Sequence, residues 1–310
     1  MYDTILVPTD GSEAAMRALD HALLLARATD ASVHALYVAN SEPDETSIPP
    51  DENETRQYRD VLRRHGEGVL DSVGERVESI PVETESSVEI ESPATNLETA
   101  LRTGVPHEAI LSYADEQRVD LVVMGTHGRS GLRRYLLGSV AERVVRLADC
   151  PVMTVHEDDD APSSYQRVLV PTDGSDCAEA AAEHAVAVAR AFDAEIHALS
   201  VVNLAEEGGL FSAGGIDSAF VERLDESARA DADAVVERAR EASVRGESTV
   251  VHGVPHEEIG EYATANDVDL VVMGTHGRSG FRRYLLGSVT ERVLRTGSTP
   301  VLAVRQQSDR

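Results

Sequence analysis

Twice in this chain a short apolar run ends in Gly-Thr-His-Gly-Arg-Ser-Gly, and with nine residues intervening after the second spaced glycine a Gly-Ser pair opens a helix-periodic stretch. The positions are Gly125, Gly128, Gly138 and Ser139 in the first copy and Gly274, Gly277, Gly287 and Ser288 in the second. This pattern suits an anion, and a phosphate best. Glycines let backbone N–H groups converge and admit positive φ, while a helix start capped by serine adds donors and the positive end of the helix dipole. A single G-x-x-G would be a weak signal. The same spacing after a buried-type strand and before a helix, in duplicate, is a strong one. The plainer reading, a loop that needs glycine only to turn, fits poorly because simple turns use about 2–5 residues.

Charge agrees with that chemistry. Residues 119–146 carry five arginines against Asp120 and Glu142, and 268–295 repeat the tally, so two windows of net +3 interrupt a chain of net charge −27. Arg129 and Arg278 lie inside the loops and are the arginines expected to reach a phosphate. A second motif, Pro-Thr-Asp-Gly-Ser, stands at 8–12 and 171–175. Its carboxylates, Asp10 and Asp173, suit a ribose or adenine edge, or a divalent ion bridging phosphates, whereas Ser12 is expected to cap the following helix. His127 and His276 could donate to a phosphate or act as acid or base, but spacing places no second carboxylate or nucleophile beside them.

The composition excludes much else. With 55 Asp+Glu against 28 Lys+Arg, and no lysine anywhere, there is no phosphate-loop lysine and no Schiff-base lysine. So negative a chain is a poor candidate for DNA or anionic membranes. An acidic, aromatic-poor composition suits concentrated salt, so a halophile's cytoplasm is the expected setting. No run approaches the ~18 apolar residues of a membrane span, and Cys150 and Cys177 have no metal-like spacing.

The elements that must hold these motifs repeat as well. TILVPTDGSEAA at 4–15 returns as RVLVPTDGSDCA at 167–178, and 119–146 returns at 268–295 with 25 of 28 positions identical. The offset falls from 163 to 149, so the first copy has about 14 extra residues, placed in the polar, alternating stretch 80–96 as a surface excursion or added hairpin. Domains are expected at 1–156 and 166–306, joined by an acidic linker at 157–165. Strands are expected near 5–7, 33–39, 98–103, 121–125 and 151–155, and near 168–170, 196–202, 247–252, 270–274 and 300–304, alternating with helical periods. The expected fold class is α/β: two flavodoxin-like, Rossmann-like domains, each a parallel sheet with helices on both faces and ligands beyond the strand carboxyl ends.

These motifs together resemble the universal stress protein family, in its ATP-binding branch. The spacing G-2x-G-9x-G-(S/T) is that branch's nucleotide signature, both copies satisfy it, and the likeness covers all but the linker, the excursion and the tails. The resemblance implies five strands per domain in the order 3-2-1-4-5 and an adenine nucleotide (ATP, or AMP or ADP, with or without Mg²⁺) between the first and fourth. Pro8, Thr9, Asp10, Val38 and Met124 would meet adenosine, and Gly125, Gly128, Gly138, Ser139 and Val140 the ribose and phosphates. Their counterparts are Pro171, Thr172, Asp173, Val201 and Met273, then Gly274, Gly277, Gly287, Ser288 and Val289. It also implies that the last strands, 151–155 and 300–304, pair to make one chain a pseudo-dimer, with a homodimer as a further option. Two function classes stay open: a nucleotide-binding stress-response regulator that turns over slowly or not at all, and a weak ATPase or nucleotidyl-transfer enzyme on the same fold.

Overall fold

The computed structural model describes residues 1–40, 52–79, 96–128, 137–204, 218–277 and 286–306. The chain divides into two compact units, Met1–Ala161 and Pro162–Arg310. Each is a parallel α/β sheet built from the alternating periods of the sequence.

Unit 1 opens with β1 (Thr4–Pro8), which stops where proline removes a backbone donor. Ser12 then caps α1 (Glu13–Thr29), accepting from Ala15 N at 3.3 Å, and Asp30 ends that helix in the left-handed region at φ 59°. There follow β2 (Ser32–Asn40), α2 (Glu52–Ser79), β3 (Leu97–Gly104), α3 (Pro106–Glu116), β4 (Leu121–Gly125), α4 (Ser139–Leu147) and β5 (Val152–Val155). β1 pairs in parallel with β2 on one side and β4 on the other, β2 pairs onward with β3, and β4 with β5. Unit 2 repeats this with β6 (Arg167–Pro171), α5 (Asp176–Phe192), β7 (Glu195–Val202), α6 (Ser218–Glu241), β8 (Gly246–His252), α7 (Pro255–Ala265), β9 (Leu270–Gly274), α8 (Ser288–Thr296) and β10 (Val301–Val304). Here β6 lies between β7 and β9, with β8 beyond β7 and β10 beyond β9.

Strands covered on both faces should read as continuous apolar runs, and β1 and β4 do: Ile5, Leu6, Val7, Leu121, Val122 and Val123 are all buried. Side-chain alternation along β2 divides the layers. Tyr37 and Ala39 face α2 through Val69, whereas His34, an odd number of residues away, meets the Tyr113 hydroxyl of α3 at 3.1 Å. On the α2 face, Arg76 holds Asp20 of α1 with two hydrogen bonds, at 3.0 and 2.8 Å. Unit 2 keeps both contacts in kind, with Arg238 on Glu183 and His197 on Tyr262.

The length difference between the copies falls between α2 and β3, which 80–96 separate, whereas only 242–245 separate α6 from β8. The expected excursion itself, residues 80–95, lies outside the described residues. The acidic segment after β5 is not simply solvated. Asp160 pairs with Arg17 of α1, and Asp159 is buried, its carboxylate accepting from His156 N at 2.8 Å.

Burial pushes the Asp159 carboxyl up to about 6. A folded value above the unfolded one favours the protonated acid, so this group's contribution is complete below about pH 4 and is lost as pH rises through 6. Asp159→Asn keeps the acceptor and removes the charge. It should therefore raise stability at pH 7.5 by about 1 kcal/mol after allowance for solvent screening, and have little effect at pH 4; thermal melts of both proteins at both pH values check this.

Candidate functional site

The two Pro-Thr-Asp-Gly-Ser turns carry β1 into α1 and β6 into α5. Thr9 N donates to Leu36 O at 2.9 Å, and Gly11 N to Thr9 Oγ1 at 3.2 Å, which folds the chain back over the strand end. Gly11 needs its glycine for conformation, at φ 80°, as Gly174 does at φ 69°. Asp10 Oδ1 accepts from Ser12 N at 3.0 Å, and Asp173 Oδ1 accepts from Ser175 N at 3.1 Å and from Ser175 Oγ at 2.6 Å. These bonds fix each aspartate beside its strand end, half exposed.

Facing the turns are the loops that leave β4 and β9. A Cβ on Gly128 would come within 2.5 Å of Asp10 Oδ2, and one on Gly277 within 2.5 Å of Asp173 Oδ2. Backbone and carboxylate thus approach as closely as glycine allows. Ser12 Oγ adds a long 3.5 Å bond to His127 O, joining the two motifs across the crevice between β1 and β4. Gly138 returns to the same place, its N–H donating to Thr126 O at 2.8 Å, as Gly287 N does to Thr275 O at 2.8 Å.

α1 and α5 start on a serine cap. By contrast α4 and α8 start on Gly138 and Gly287 with no side-chain cap, so Ser139 and Ser288 are the first helical residues and not the caps that the sequence suggested. Their side chains are exposed, and the opening N–H groups of both helices have no backbone partner among the described residues. Uncapped helix starts opposite a carboxylate-bearing turn can take an anion whose other end offers hydroxyls or ring nitrogens.

The loop glycines also differ from expectation in their physical role. Among the described glycines, positive φ occurs at Gly11, Gly104 and Gly174, not at Gly125, Gly128 or Gly138. These positions need glycine for space. A Cβ on Gly125 would meet Ala14 C at 2.9 Å and Ala15 N at 3.0 Å, so that residue lets β4 touch the first turn of α1, and Gly274 lies as close to Cys177. Gly138 is limited by Thr126 O at 3.0 Å.

The remaining expected contacts surround this crevice. Pro8 and Thr9, like Pro171 and Thr172, are buried at the strand end, Val38 and Val201 are half-buried, and Met124 and Met273 are 5% and 4% exposed. So deep a burial makes the methionines core first. Val140 and Val289 lie in the first turns of α4 and α8, half-buried. Arg129 and Arg278 lie outside the described residues.

Sequence reasoning missed Thr126 and Thr275. Both are buried, and each hydroxyl contacts the Nδ1 of the adjacent histidine at 2.9 Å. The Thr126 hydroxyl also touches His156 Nδ1 at 3.1 Å, and the His127 and His156 rings lie 6.3 Å apart. Burial lowers the His127 pKa, with Glu157 opposing, and holds His156 at about 4, helped by His127. The one signal for Thr126 was its invariance between two loops already marked by their glycines.

α8 has one further tie. Thr290, which replaces Ala141 of unit 1, donates its hydroxyl to Gly274 O at 2.8 Å and is 3% exposed. Thr290→Ala should cost about 1 kcal/mol, read as a lower midpoint in urea, because unit 1 keeps the same turn without that bond.

Duplicated glycine loops, uncapped helix starts and carboxylate turns on a parallel sheet now stand beside a family assignment. The chain belongs to the universal stress protein family, whose profile matches residues 1–156 and 164–305. It is 40% identical over 155 residues to a universal stress protein of Methanocaldococcus jannaschii, covering 50% of this chain and 82% of that one. It is 36% identical over 192 residues to one from Mycobacterium tuberculosis, covering 60% of this chain and 62% of the relative. Among solved structures, a universal stress protein from Archaeoglobus fulgidus aligns over 98% of both chains with TM-score 0.71 at 23% identity, a likeness of fold. The tandem arrangement is thus two universal stress protein domains, and no described helix is long and apolar enough to cross a membrane.

Proposed function

We propose that this universal stress protein is a stress-response regulator that binds an adenine nucleotide, ATP above all, in each unit. The observation that carries the reading is the pair of uncapped helix starts, α4 and α8, tied through Gly138 N and Gly287 N to the strand-end residues Thr126 and Thr275, close to Gly128 and Gly277, which leave no room for a Cβ against Asp10 and Asp173. The N–H groups of Ser139 and Val140, and of Ser288 and Val289, would hold phosphate oxygens, with Arg129 and Arg278 closing on them. Asp10 and Asp173 would take the ribose. Thr9, Val38 and Met124, with Thr172, Val201 and Met273, would form the floor under the base, and Mg²⁺ could accompany the phosphates.

Binding is favoured over turnover. His127 Nδ1 is engaged by the Thr126 hydroxyl and burial lowers its pKa, so it is a weak base fixed in place. Pairing of the units through their last strands belongs to the same proposal, since VMTV and VLAV are apolar segments unsuited to exposed sheet edges. So does a salt-rich cytoplasm, from the net charge of −27 and the lack of lysine.

Acid extraction of the purified protein followed by chromatography should release close to two adenine nucleotides per chain, or calorimetry in high KCl with ATP and Mg²⁺ should find two sites. Empty protein with no heat of binding would overturn the proposal. Turnover above about 1 s⁻¹ would instead place the chain among ordinary enzymes.

A further inference from the structure

The phosphate loops, 125–138 and 274–287, differ in sequence only at Leu132 and Phe281, yet what stands behind each loop differs in charge. In unit 1 the residue that follows β5 is His156, whose Nδ1 sits 3.1 Å from the Thr126 hydroxyl and whose buried Nε2 has no partner among the described residues. Burial keeps that ring neutral through the physiological range. In unit 2 the equivalent residue after β10 is Arg305. Thr275 N still donates to Val304 O at 2.8 Å, as Thr126 N does to Val155 O, so the two side chains leave the same point of the same frame. Arg305 acts on His276 as a neighbouring positive charge that, after burial, holds the imidazole pKa down.

The opposite side of the crevice changes too. The turn at Gly11 rests on Val69, a buried apolar side chain, whereas the turn at Gly174 rests on the carboxylate of Asp231. Unit 2 therefore separates charge: Asp173 and Asp231 are negative at the turn, and Arg305 is positive behind the phosphate loop. Unit 1 keeps only Asp10 beside an apolar wall at one end, and at the other it has a neutral imidazole, with the Glu157 carboxylate rather than an arginine acting on His127.

We propose that the two sites are inequivalent, and that Arg305 makes the site of unit 2 the one that selects its ligand by phosphate charge. The inference rests on the nucleotide reading above. A polyphosphate head matches the added positive charge of unit 2, while the Val69 wall and the neutral His156 behind the loop of unit 1 treat ligands of one and three phosphates more alike. Arg305 is a positioning charge that acts through the loop. Added fixed charge within a Debye length of the phosphates favours a ligand with two more negative charges by about 3- to 20-fold.

The test uses the full chain with one site removed at a time, Gly287→Val leaving the site of unit 1 and Gly138→Val that of unit 2. Calorimetric affinities for ATP and AMP are measured at the lowest KCl concentration that keeps the protein folded and again with 1 M KCl added. The ATP-to-AMP preference should be about 3- to 20-fold larger at the site of unit 2, and should shrink with added salt. Arg305→His should bring that preference to the value of unit 1, Arg305→Lys should retain it, and His156→Arg should raise the preference of unit 1. Equal preferences at two sites that both bind, or a preference unchanged in Arg305→His, would overturn the inference and leave nucleotide binding intact. Absence of binding at either site would overturn the nucleotide reading and the inference with it.

Discussion

Gly138→Val is expected to leave one adenine nucleotide per chain where the parent holds two, with affinity at the site of unit 1 reduced at least about 100-fold. Gly138 N donates to Thr126 O at 2.8 Å, and the site of a Cβ lies 3.0 Å from that same oxygen. A β-branched side chain places two more carbons at this point with little rotamer choice, so either Thr126 O or the start of α4 must move. Both positions matter to a bound phosphate. The loss of two or three hydrogen bonds to a charged group, at about 1.5–3 kcal/mol each, exceeds the ~2.7 kcal/mol that a 100-fold change requires. Gly287 keeps the second site because no described part of it changes. The fold should tolerate the variant, since Gly138 is half exposed and its backbone is ordinary, at φ −63° and ψ 147°. Nucleotide content after acid extraction, with an unchanged far-UV spectrum, checks both halves of the expectation.

Why some of the site was legible in the sequence and some was not follows from what each residue does. The strands could be read because β1, β4, β6 and β9 are covered on both faces and must be apolar without interruption. The glycine loops could be read because their spacing is written twice. The physical role of those glycines could not. Positive φ and close packing both demand glycine, and only coordinates separate Gly11, at φ 80°, from Gly125, which has no room for a side chain. Ser139 illustrates a related ambiguity: a Gly-Ser pair before a helix allows either residue to be the cap, and the structure gives the cap position to glycine, which leaves the helix start open.

The charge behind the loops was hidden for a different reason. His156 and Arg305 follow the last strand of each unit, at the very ends of the expected domains, and they differ between copies. Searching for what repeats finds the frame of a site and passes over what distinguishes its two instances. The same holds for Asp159. A run of acids reads as solvated, yet one of the three aspartates turns inward to receive His156 N, and burial alters its proton affinity.

Gly125→Ala tests the second role of the loop glycines, and its expected effect is on stability before binding. The added methyl would sit 2.9 Å from Ala14 C and from Ala14 Cβ, and 3.0 Å from Ala15 N. Two of these three atoms belong to the backbone of the first turn of α1, which no side-chain rotation can clear. That turn is fixed in turn by the Ser12 cap and by Leu19 and Leu23, both buried against the sheet. Relief requires α1 to move away from β4 by several tenths of an ångström along its first turn, opening gaps in a close-packed layer. Overpacking of this kind costs about 3 kcal/mol, which for a unit of this size lowers the midpoint by roughly 10 °C. The Gly125 change should therefore lower the melting temperature of unit 1 and, because α1 carries Ser12 and the turn at Asp10, weaken its nucleotide site as a consequence. Gly138→Val should do the reverse, losing nucleotide at nearly unchanged stability. If the Gly125 variant melted with the parent while losing nucleotide, the glycine would be a ligand contact and the packing account would be wrong.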